Sequence, residues 1–198
     1  MTQLGDIRVA GELLAAARAG EERARAQLYA LVAPATFGLI RRLMGARAQA
    51  EDLFQDTLIT MYERLNDYRG EAPFGAWVRR IAVSKCLMYL RSPWHRARLE
   101  LSGGAEEWLD ALTGQGPADA AAGAGMAESL DLERALARLS PTARAVVWLY
   151  EVEGYSHEEI GRAFGRTVSF SKSQLARAHR RLRALLEGGV ERAPCPLP

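Results

Sequence analysis

The sequence has few of the features that mark secreted, disulfide-bonded or membrane proteins. Its 198 residues include two cysteines, Cys86 and Cys195, which are too few and too far apart for a disulfide framework or a zinc site. The longest uncharged run, residues 26–40, is shorter than the roughly 18 apolar residues of a membrane helix and contains a proline. The opening residues lack the apolar core of a signal peptide. These absences predict a cytoplasmic protein that does not insert into membranes.

The charged residues are unevenly distributed, although the net charge of +2 is too small to indicate nucleic-acid binding by itself. Residues 99–133 contain Asp and Glu but no Lys or Arg, whereas residues 162–183 contain Lys and Arg but no Asp or Glu. This pattern predicts two folded units, residues 1–98 and 129–188. A flexible acidic linker, residues 99–128, joins them, and residues 189–198, with three prolines, form a disordered tail.

Both units are predicted to be helical, because apolar residues recur at intervals of three and four and strand signals are nearly absent. Ser140-Pro141 is typical of an N-cap followed by a first-turn proline, and Ser156 with Glu159 of a capping box. Pro34 predicts a kink or break within residues 26–44. Glycines mark the predicted helix ends: Gly20, Gly45, Gly70 and Gly165. The expected fold class is all-α.

Residues 48–65 form a predicted amphipathic helix with one acidic face. At about 100° per residue, Asp52, Asp56 and Glu63 lie opposite a face of mainly apolar residues. That inward face comprises Leu53, Phe54, Thr57, Leu58, Met61 and Leu65. Ile59 falls within the acidic stripe, beside Gln55. A charged face is often simply solvated, but an exposed apolar residue ringed by carboxylates also suits a protein-binding surface.

The next predicted helix, residues 74–90, combines aromatic and basic side chains. Its inward positions are predicted to be Phe74, Val78, Ile81 and Met88. One flank carries Trp77, Arg80, Ser84 and Arg91, with Lys85 nearby and Tyr68 and Arg69 just before the helix. Arginines interleaved with aromatic rings are typical of surfaces that bind single-stranded nucleic acid. The alternative is that Trp77 belongs to the core and the arginines only aid solubility.

The second unit has the spacing of a helix-turn-helix, with residues 156–164 before Gly165 and a second helix at residues 169–186. The predicted buried stripe of the second helix is Leu175, Ala178, Leu182 and Leu185. Its opposite side carries Lys172, Ser173, Ala176, Arg177, Arg180 and Arg183. A merely solvated basic helix is the alternative, but such helices usually mix both signs of charge, so the acid-free run favours DNA.

The sequence carries none of the common catalytic motifs. His157-Glu158 begins like the helix of a zinc protease, but Gly161 stands where the second histidine ligand is needed. There is also no phosphate-binding glycine loop and no nucleophile elbow. We therefore predict no enzymatic activity, no cofactor and no bound metal.

Several short motifs follow one another in a recognisable order. They are Glu51-Asp52-Leu53-Phe54-Gln55-Asp56, Tyr68-Arg69-Gly70-Glu71, Phe74 with Trp77 and Arg80-Ile81-Ala82-Val83, Leu139-Ser140-Pro141, Glu153-Gly154-Tyr155-Ser156, Glu159-Ile160, and Lys172-Ser173 with Arg177-Ala178. Each motif alone is weakly specific, but the ordered set strongly resembles the extracytoplasmic-function (ECF) sigma factors of bacterial RNA polymerase. The resemblance implies a sigma2-like helical bundle followed by a sigma4-like helix-turn-helix domain.

The resemblance also implies partners and a role for each matching surface. Binding of core RNA polymerase is implied for Asp52, Gln55, Asp56 and Ile59. Opening and reading of the −10 promoter element are implied for Tyr68, Arg69, Trp77, Arg80, Ser84, Lys85 and Arg91. Reading of the −35 element is implied for Arg166, Ser169, Phe170, Lys172, Ser173, Ala176, Arg177 and Arg180. Promoter DNA and core polymerase are thus the expected partners, and an anti-sigma factor is a further candidate partner.

Two departures from the family pattern limit what the resemblance implies. Ser169-Phe170-Ser171 stands where the family usually has Gly-Thr-Val, so promoter specificity is not transferable. Gly161 replaces a usual alanine and is predicted to cost about 1 kcal/mol of helix propensity if exposed. The main alternative is a stand-alone helix-turn-helix regulator, which has no need of adjacent acidic and aromatic surfaces in its first unit.

Overall fold

The computed structural model describes residues 3–93 and 132–187, and all regular secondary structure within these ranges is helical. The all-α expectation is therefore confirmed. The chain divides into two compact units after Arg91. The predicted linker, residues 99–128, and the predicted tail, residues 189–198, lie outside the described residues. The boundaries of the predicted domains stay a prediction.

The first unit packs four α-helices around one apolar core. They are α1 (Gly11–Arg18), α2 (Glu22–Met44), α3 (Arg47–Glu63) and α4 (Phe74–Arg91), with short 3-10 helices at Leu4–Asp6 and Leu65–Asp67. Helices α2, α3 and α4 contact one another pairwise, and α1 packs on α2. The largest fully buried side chains include Leu28, Ile40, Leu43, Met61 and Phe74.

Helix α2 continues through Pro34, so the break anticipated at this proline is absent. A proline inside a helix costs about 3 kcal/mol, because it removes a hydrogen bond and its ring crowds the preceding turn. Apolar side chains on both sides of Pro34 offset this penalty, since Leu28, Val32, Leu39 and Ile40 are all buried. Each contributes roughly 1.5–3 kcal/mol on burial, so packing keeps the helix in one piece.

The second unit contains a helical segment at residues 132–137, then α5 (Pro141–Glu151), α6 (His157–Ala163) and α7 (Val168–Glu187). Helix α7 packs on both α5 and α6. Both predicted N-caps are confirmed. The Ser140 hydroxyl accepts from the Ala143 N–H at 3.3 Å, and Ser156 forms a capping box with Glu159. Hydrogen bonds from Ser156 lower the pKa of the Glu159 carboxyl below its usual value.

Arg144 is buried in the second unit, which its sequence context did not indicate. Its guanidinium donates to the carbonyl oxygens of Leu136, Ala137 and Leu139 at 2.8–3.0 Å. Burial lowers the pKa of Arg144 to about 10. Because two of these carbonyls lie at the end of the 132–137 segment and the third just after it, the arginine fastens that segment to α5.

Candidate protein and nucleic-acid interfaces

The predicted acidic face of α3 is exposed in the structure. Asp52, Gln55, Asp56 and Ile59 all face solvent, and Ile59 is 56% exposed. We call these four residues the acidic surface. Of the predicted inward positions, Phe54 is half-buried and the others are buried: Leu53, Thr57, Leu58, Met61 and Leu65. The Phe54 ring packs edge-on against Phe37, with centroids 5.4 Å apart. The acidic surface is therefore the exposed side of a helix whose opposite side is packed in the core.

The loop between α3 and α4 carries Tyr68 and Arg69. Two hydrogen bonds from the Arg18 guanidinium hold it, one to the Leu65 carbonyl at 3.2 Å and one to the Tyr68 carbonyl. The Tyr68 hydroxyl also donates to the carbonyl of Ala72 at 2.6 Å. The backbone of this loop is therefore fixed, while the Arg69 side chain is exposed.

Tyr68, Phe74 and Trp77 form an aromatic cluster at the start of α4. The Tyr68 ring meets Phe74 edge-on at 5.2 Å and Trp77 at 5.6 Å, and Phe74 lies 5.6 Å from Trp77. Phe74 is buried, whereas Tyr68 and Trp77 are half-buried. Trp77 is therefore not a fully buried core residue.

Arg80, Ser84 and Arg91 are exposed on the same flank of α4 as Trp77. Together with Tyr68, Arg69 and Trp77 we call them the aromatic and basic surface. Lys85, which was expected to belong to it, is half-buried and pairs with Asp56 of the acidic surface, Nζ to Oδ2 at 3.6 Å.

Met88 was predicted to point inward, and this prediction was wrong, because its side chain is 58% exposed. The buried stripe of α4 instead runs through Val78, Ala82, Cys86 and Leu90, at intervals of four. Met88 lies four residues after Ser84, so it faces outward between the exposed polar side chains. Ile81, also predicted inward, is half-buried. An exposed methionine among basic side chains is a candidate DNA contact. The regular four-residue interval of the buried stripe is the sequence signal that could have shown Met88 to be exposed.

The helix-turn-helix is closely packed at its turn. Gly161 is buried, and a Cβ added there would lie 2.8 Å from the carbonyl oxygen of Thr167. Its own carbonyl accepts from the Arg166 N–H at 2.8 Å. The expected penalty for an exposed glycine therefore does not apply, because this glycine permits the close approach of the turn. Gly165 has a φ of 62°, a left-handed conformation that glycine adopts without strain.

Most of the residues predicted to read duplex DNA are exposed on or just before α7. They are Arg166, Ser169, Lys172, Ser173, Ala176, Arg177 and Arg180, which we call the basic surface. Phe170 differs, since it is half-buried with its ring 5.6 Å from Phe164. On the inner side Leu175, Ala178 and Leu182 are buried, as predicted, and Leu185 is half-buried.

Ser171, in the first turn of α7, is fully buried against α6, which the sequence did not predict. Its hydroxyl lies 3.0 Å from Nδ1 of His157, whose ring stacks on Tyr150 at 4.3 Å. Phe170 and Ser171 therefore anchor the first turn of α7 to its neighbours, and this contact orients the basic surface.

In residues 3–93 and 132–187 there is no cluster of three or more His, Cys, Asp or Glu side chains arranged to hold a metal ion. Within the same ranges, no helix combines the length and the apolar character needed to cross a membrane.

A helical unit with adjoining acidic and aromatic-basic surfaces, followed by a helix-turn-helix with a basic outer helix, defines a DNA-binding transcription protein. Sequence comparison identifies residues 28–96 as Sigma-70 region 2 and residues 129–182 as Sigma-70, region 4. The ECF RNA polymerase sigma factor SigM of Mycobacterium tuberculosis is 31% identical over 175 residues, which cover 88% of this chain and 83% of SigM. The chain belongs to the ECF sigma factors, which direct RNA polymerase to promoters.

Two further comparisons agree with this assignment. The ECF RNA polymerase sigma factor SigE of Mycolicibacterium smegmatis is 31% identical over 150 residues, which span 76% of this chain but 56% of SigE. The solved structure of the sigma factor RpoE in complex with the anti-sigma factor NepR, from Bartonella quintana, matches with a TM-score of 0.51 and 25% identity. That match covers 84% of this chain and 97% of RpoE.

Proposed function

We propose that each of the three surfaces performs a separate step of promoter-specific initiation. The acidic surface binds core RNA polymerase, the aromatic and basic surface opens and reads the −10 element, and the basic surface reads the −35 element. One observation carries the proposal. Consecutive helices of a single unit present an acidic surface around an exposed isoleucine and, next to it, arginines interleaved with aromatic rings.

The acidic surface suits a protein partner rather than DNA. Asp52 and Asp56 would repel phosphates, and Ile59 offers an apolar contact that a solvated helix does not need. An apolar centre with a charged rim is the usual anatomy of a protein interface. We infer a basic partner surface on the polymerase with an apolar site for Ile59.

The aromatic and basic surface suits single-stranded DNA. The half-buried rings of Tyr68 and Trp77 offer faces for unstacked bases, while Arg69, Arg80 and Arg91 supply charge for phosphates. Met88, exposed on the same side of α4, adds an apolar contact for a base. A narrow helix flank with these groups recognises separated strands better than an intact duplex.

The basic surface suits duplex DNA. Lys172, Ser173 and Arg177 lie on the exposed side of α7, within about two and a half turns of its start, where a recognition helix meets base edges in the major groove. Arg166 and Arg180 flank them and can reach phosphates. In this structure Arg177 donates to the Ser173 carbonyl at 3.3 Å, so the side chain must swing outward to contact a base.

The remaining expectations are part of the same proposal. The chain acts in the cytoplasm, is not an enzyme, and uses residues 1–98 and 129–188 as its two domains, joined by the linker at residues 99–128. An anti-sigma factor is a further proposed partner, supported by the similarity to RpoE, whose solved structure contains the anti-sigma factor NepR.

The proposal can be tested by transcription with purified components. Core polymerase is mixed with the chain, supplied with a supercoiled library of randomised promoters, and its transcripts are sequenced. We expect transcripts that begin downstream of one shared pair of elements, and none without the chain. Tight binding of the free chain to duplex DNA as a dimer, with no effect on core polymerase, would instead support a stand-alone regulator.

A further inference from the structure

The residues just before α1 lie against the start of α4. We call residues 4–9 the leading segment; it includes the 3-10 helix Leu4–Asp6 and precedes the part of the chain that matches Sigma-70 region 2. Leu4 is buried, and this 3-10 helix packs on α4. We propose that the leading segment positions the aromatic and basic surface, acting through Gly75. The inference rests on the proposed function of that surface in binding the −10 element.

Gly75 is the point of closest contact between the leading segment and α4. Its N–H donates to the carbonyl oxygen of Ile7 at 2.8 Å. N–H groups in the first turn of a helix have no acceptor within the helix, so the leading segment supplies the missing partner. A Cβ added at Gly75 would lie 1.8 Å from the carbonyl oxygen of Leu4 and 2.9 Å from the Cβ of Ile7. The contact therefore requires glycine at this position.

Gly75 also lies within the part of α4 that carries the aromatic cluster. It follows Phe74, whose ring contacts both Tyr68 and Trp77. One turn further along, Arg79 lies beside the leading segment, since a Cβ at Gly5 would be 3.3 Å from its Nη1. The leading segment thus contacts the first two turns of α4. Displacing it would shift Trp77 and Arg80 relative to the loop that carries Tyr68.

Arg18 makes a second contact of the same kind. This residue ends α1, also before residue 28, and it donates to the carbonyls of Leu65 and Tyr68. The leading segment holds the start of α4, and Arg18 holds the loop before it. Both parts of the aromatic and basic surface are therefore fixed by residues before the part of the chain that matches Sigma-70 region 2, and both are positioning elements.

A double-mutant cycle tests the role of Gly75. Holoenzyme is assembled from core polymerase and four forms of the chain: wild type, Gly75→Ala, a form lacking residues 1–9, and the form with both changes. The probe is a labelled single-stranded DNA that wild-type holoenzyme selects from a randomised pool, and its affinity is measured by fluorescence anisotropy. Affinity for core polymerase is measured on the same samples, at a temperature where circular dichroism shows every form folded.

We expect Gly75→Ala and the truncation each to weaken DNA binding about tenfold, and the combination to weaken it no further. The reason is that, in the truncated chain, the added methyl group no longer meets Leu4 or Ile7. Core affinity is expected to change by less than about twofold in all forms. A residue that only stabilised the fold would lower the melting temperature without changing the DNA affinity of folded holoenzyme.

Two matched pairs complete the design. Gly11→Ala is the control for Gly75→Ala, because a Cβ at Gly11 meets no atom within 4 Å. Arg23→Gln is the control for Arg18→Gln, because Arg23 is exposed on α2 and the charge change is the same. We expect Arg18→Gln, but not Arg23→Gln, to weaken DNA binding. This pair keeps the test decisive if the truncated chain does not fold.

Arg80→Ala, measured beside these forms, separates the inference from the proposed function. The inference would be overturned if the two changes in the cycle had additive effects. It would also be overturned if Gly75→Ala and Arg18→Gln bound the probe with normal affinity while Arg80→Ala bound it weakly. Both outcomes would leave the proposed function intact. If Arg80→Ala also bound the probe normally, the proposed role of the aromatic and basic surface would be wrong, and the inference would fall with it.

Discussion

Asp56 of the acidic surface on α3 forms an ion pair with Lys85 on α4, the helix that also carries most of the aromatic and basic surface. The carboxylate Oδ2 lies 3.6 Å from the ammonium nitrogen, and Lys85 is the more buried of the two side chains. An ion pair this close to solvent contributes about 0–1 kcal/mol to stability. A partner that pairs with Asp56 can therefore release Lys85 at little cost, and Lys85 directly follows Ser84, which lies on the flank that we assign to DNA.

The first prediction concerns the charge of the acidic surface. Replacing Asp52 and Asp56 together with Arg should weaken core polymerase binding by more than about tenfold, because the charge around Ile59 is reversed on the surface that we assign to the polymerase. The helical circular dichroism should persist, since both side chains are exposed. Binding is measured by titrating labelled chain with core enzyme.

The control for this prediction reverses the same number of charges elsewhere. Glu12 and Glu22 are exposed on α1 and α2, so replacing both with Arg makes the same change in net charge. Core binding should then stay within about threefold of wild type at 0.15 M salt, where distant surface charges are screened. Equal losses in the two double variants would mean that net charge, rather than the acidic surface, governs binding.

The acidic surface was predictable because helical periodicity fixes which residues share a face, and Asp52, Gln55, Asp56 and Ile59 recur at the three- and four-residue intervals of one face. The same reasoning failed at Met88, where an apolar side chain proved to be exposed. Hydrophobicity alone cannot distinguish a core position from an exposed contact; the four-residue interval from Val78 to Leu90 could have done so.

Contacts between residues more than one helical turn apart could not be predicted from sequence. The burial of Arg144 depends on hydrogen bonds to three carbonyl groups five to eight residues earlier. The close packing of Gly161 depends on the Thr167 carbonyl, six residues later. Pro34 shows the same limit, since the local rule for proline yields to packing along α2. Caps such as Ser156 with Glu159 were predictable because both partners lie within one turn.

The second prediction concerns Gly161. Alanine there should destabilise the second unit by about 1–3 kcal/mol, although alanine favours helices by about 1 kcal/mol. The added Cβ would lie 2.8 Å from the Thr167 carbonyl, and backbone atoms cannot move aside as a flexible side chain can. Urea unfolding followed by circular dichroism measures the change. Gly11→Ala, whose Cβ meets no atom within 4 Å, should not destabilise the chain, and a stabilised Gly161→Ala would show that the turn relaxes freely.

The third prediction concerns the pH dependence contributed by Cys86. Burial raises the pKa of its thiol from about 9 to about 12. In the folded state the Cys86 thiol then keeps its proton to higher pH than in the unfolded state. The contribution of Cys86 to stability is therefore complete below pH 9 and decreases between pH 9 and 12. Relative to Cys86→Ala, the wild-type free energy of unfolding should fall by about 1.4 kcal/mol between pH 7 and pH 10.

Both proteins are unfolded in urea at each pH, so the titration of lysines and tyrosines common to the two cancels in the difference. Below pH 8 that difference should be constant. If it stayed constant up to pH 10 as well, the Cys86 thiol would ionise as readily in the folded chain as in the unfolded one.

The last prediction separates the two DNA-binding steps. Arg80 lies on the surface assigned to separated strands, and Arg177 on the surface assigned to duplex DNA. Arg80→Ala holoenzyme should bind the upstream element normally but open the promoter slowly. Arg177→Ala should lose a base contact worth about 1–3 kcal/mol, which corresponds to a 5- to 150-fold weaker upstream affinity. Gel shifts measure binding, and permanganate reactivity of thymines measures opening.

A promoter with a pre-melted −10 bubble distinguishes these defects. The bubble removes the need to separate the strands, so it should bring the rate at which Arg80→Ala forms the open complex close to the wild-type rate, while the affinity for separated strands stays weaker by the contact that Arg80 makes. It cannot restore a contact to the upstream duplex, so Arg177→Ala should remain weak on the same template. Arg183→Ala is the control, because Arg183 is exposed further along α7 than the residues that we assign to base edges. Its loss should weaken binding equally at all sequences. Rescue of Arg177→Ala but not of Arg80→Ala by the bubble would reverse the assignment of the two surfaces.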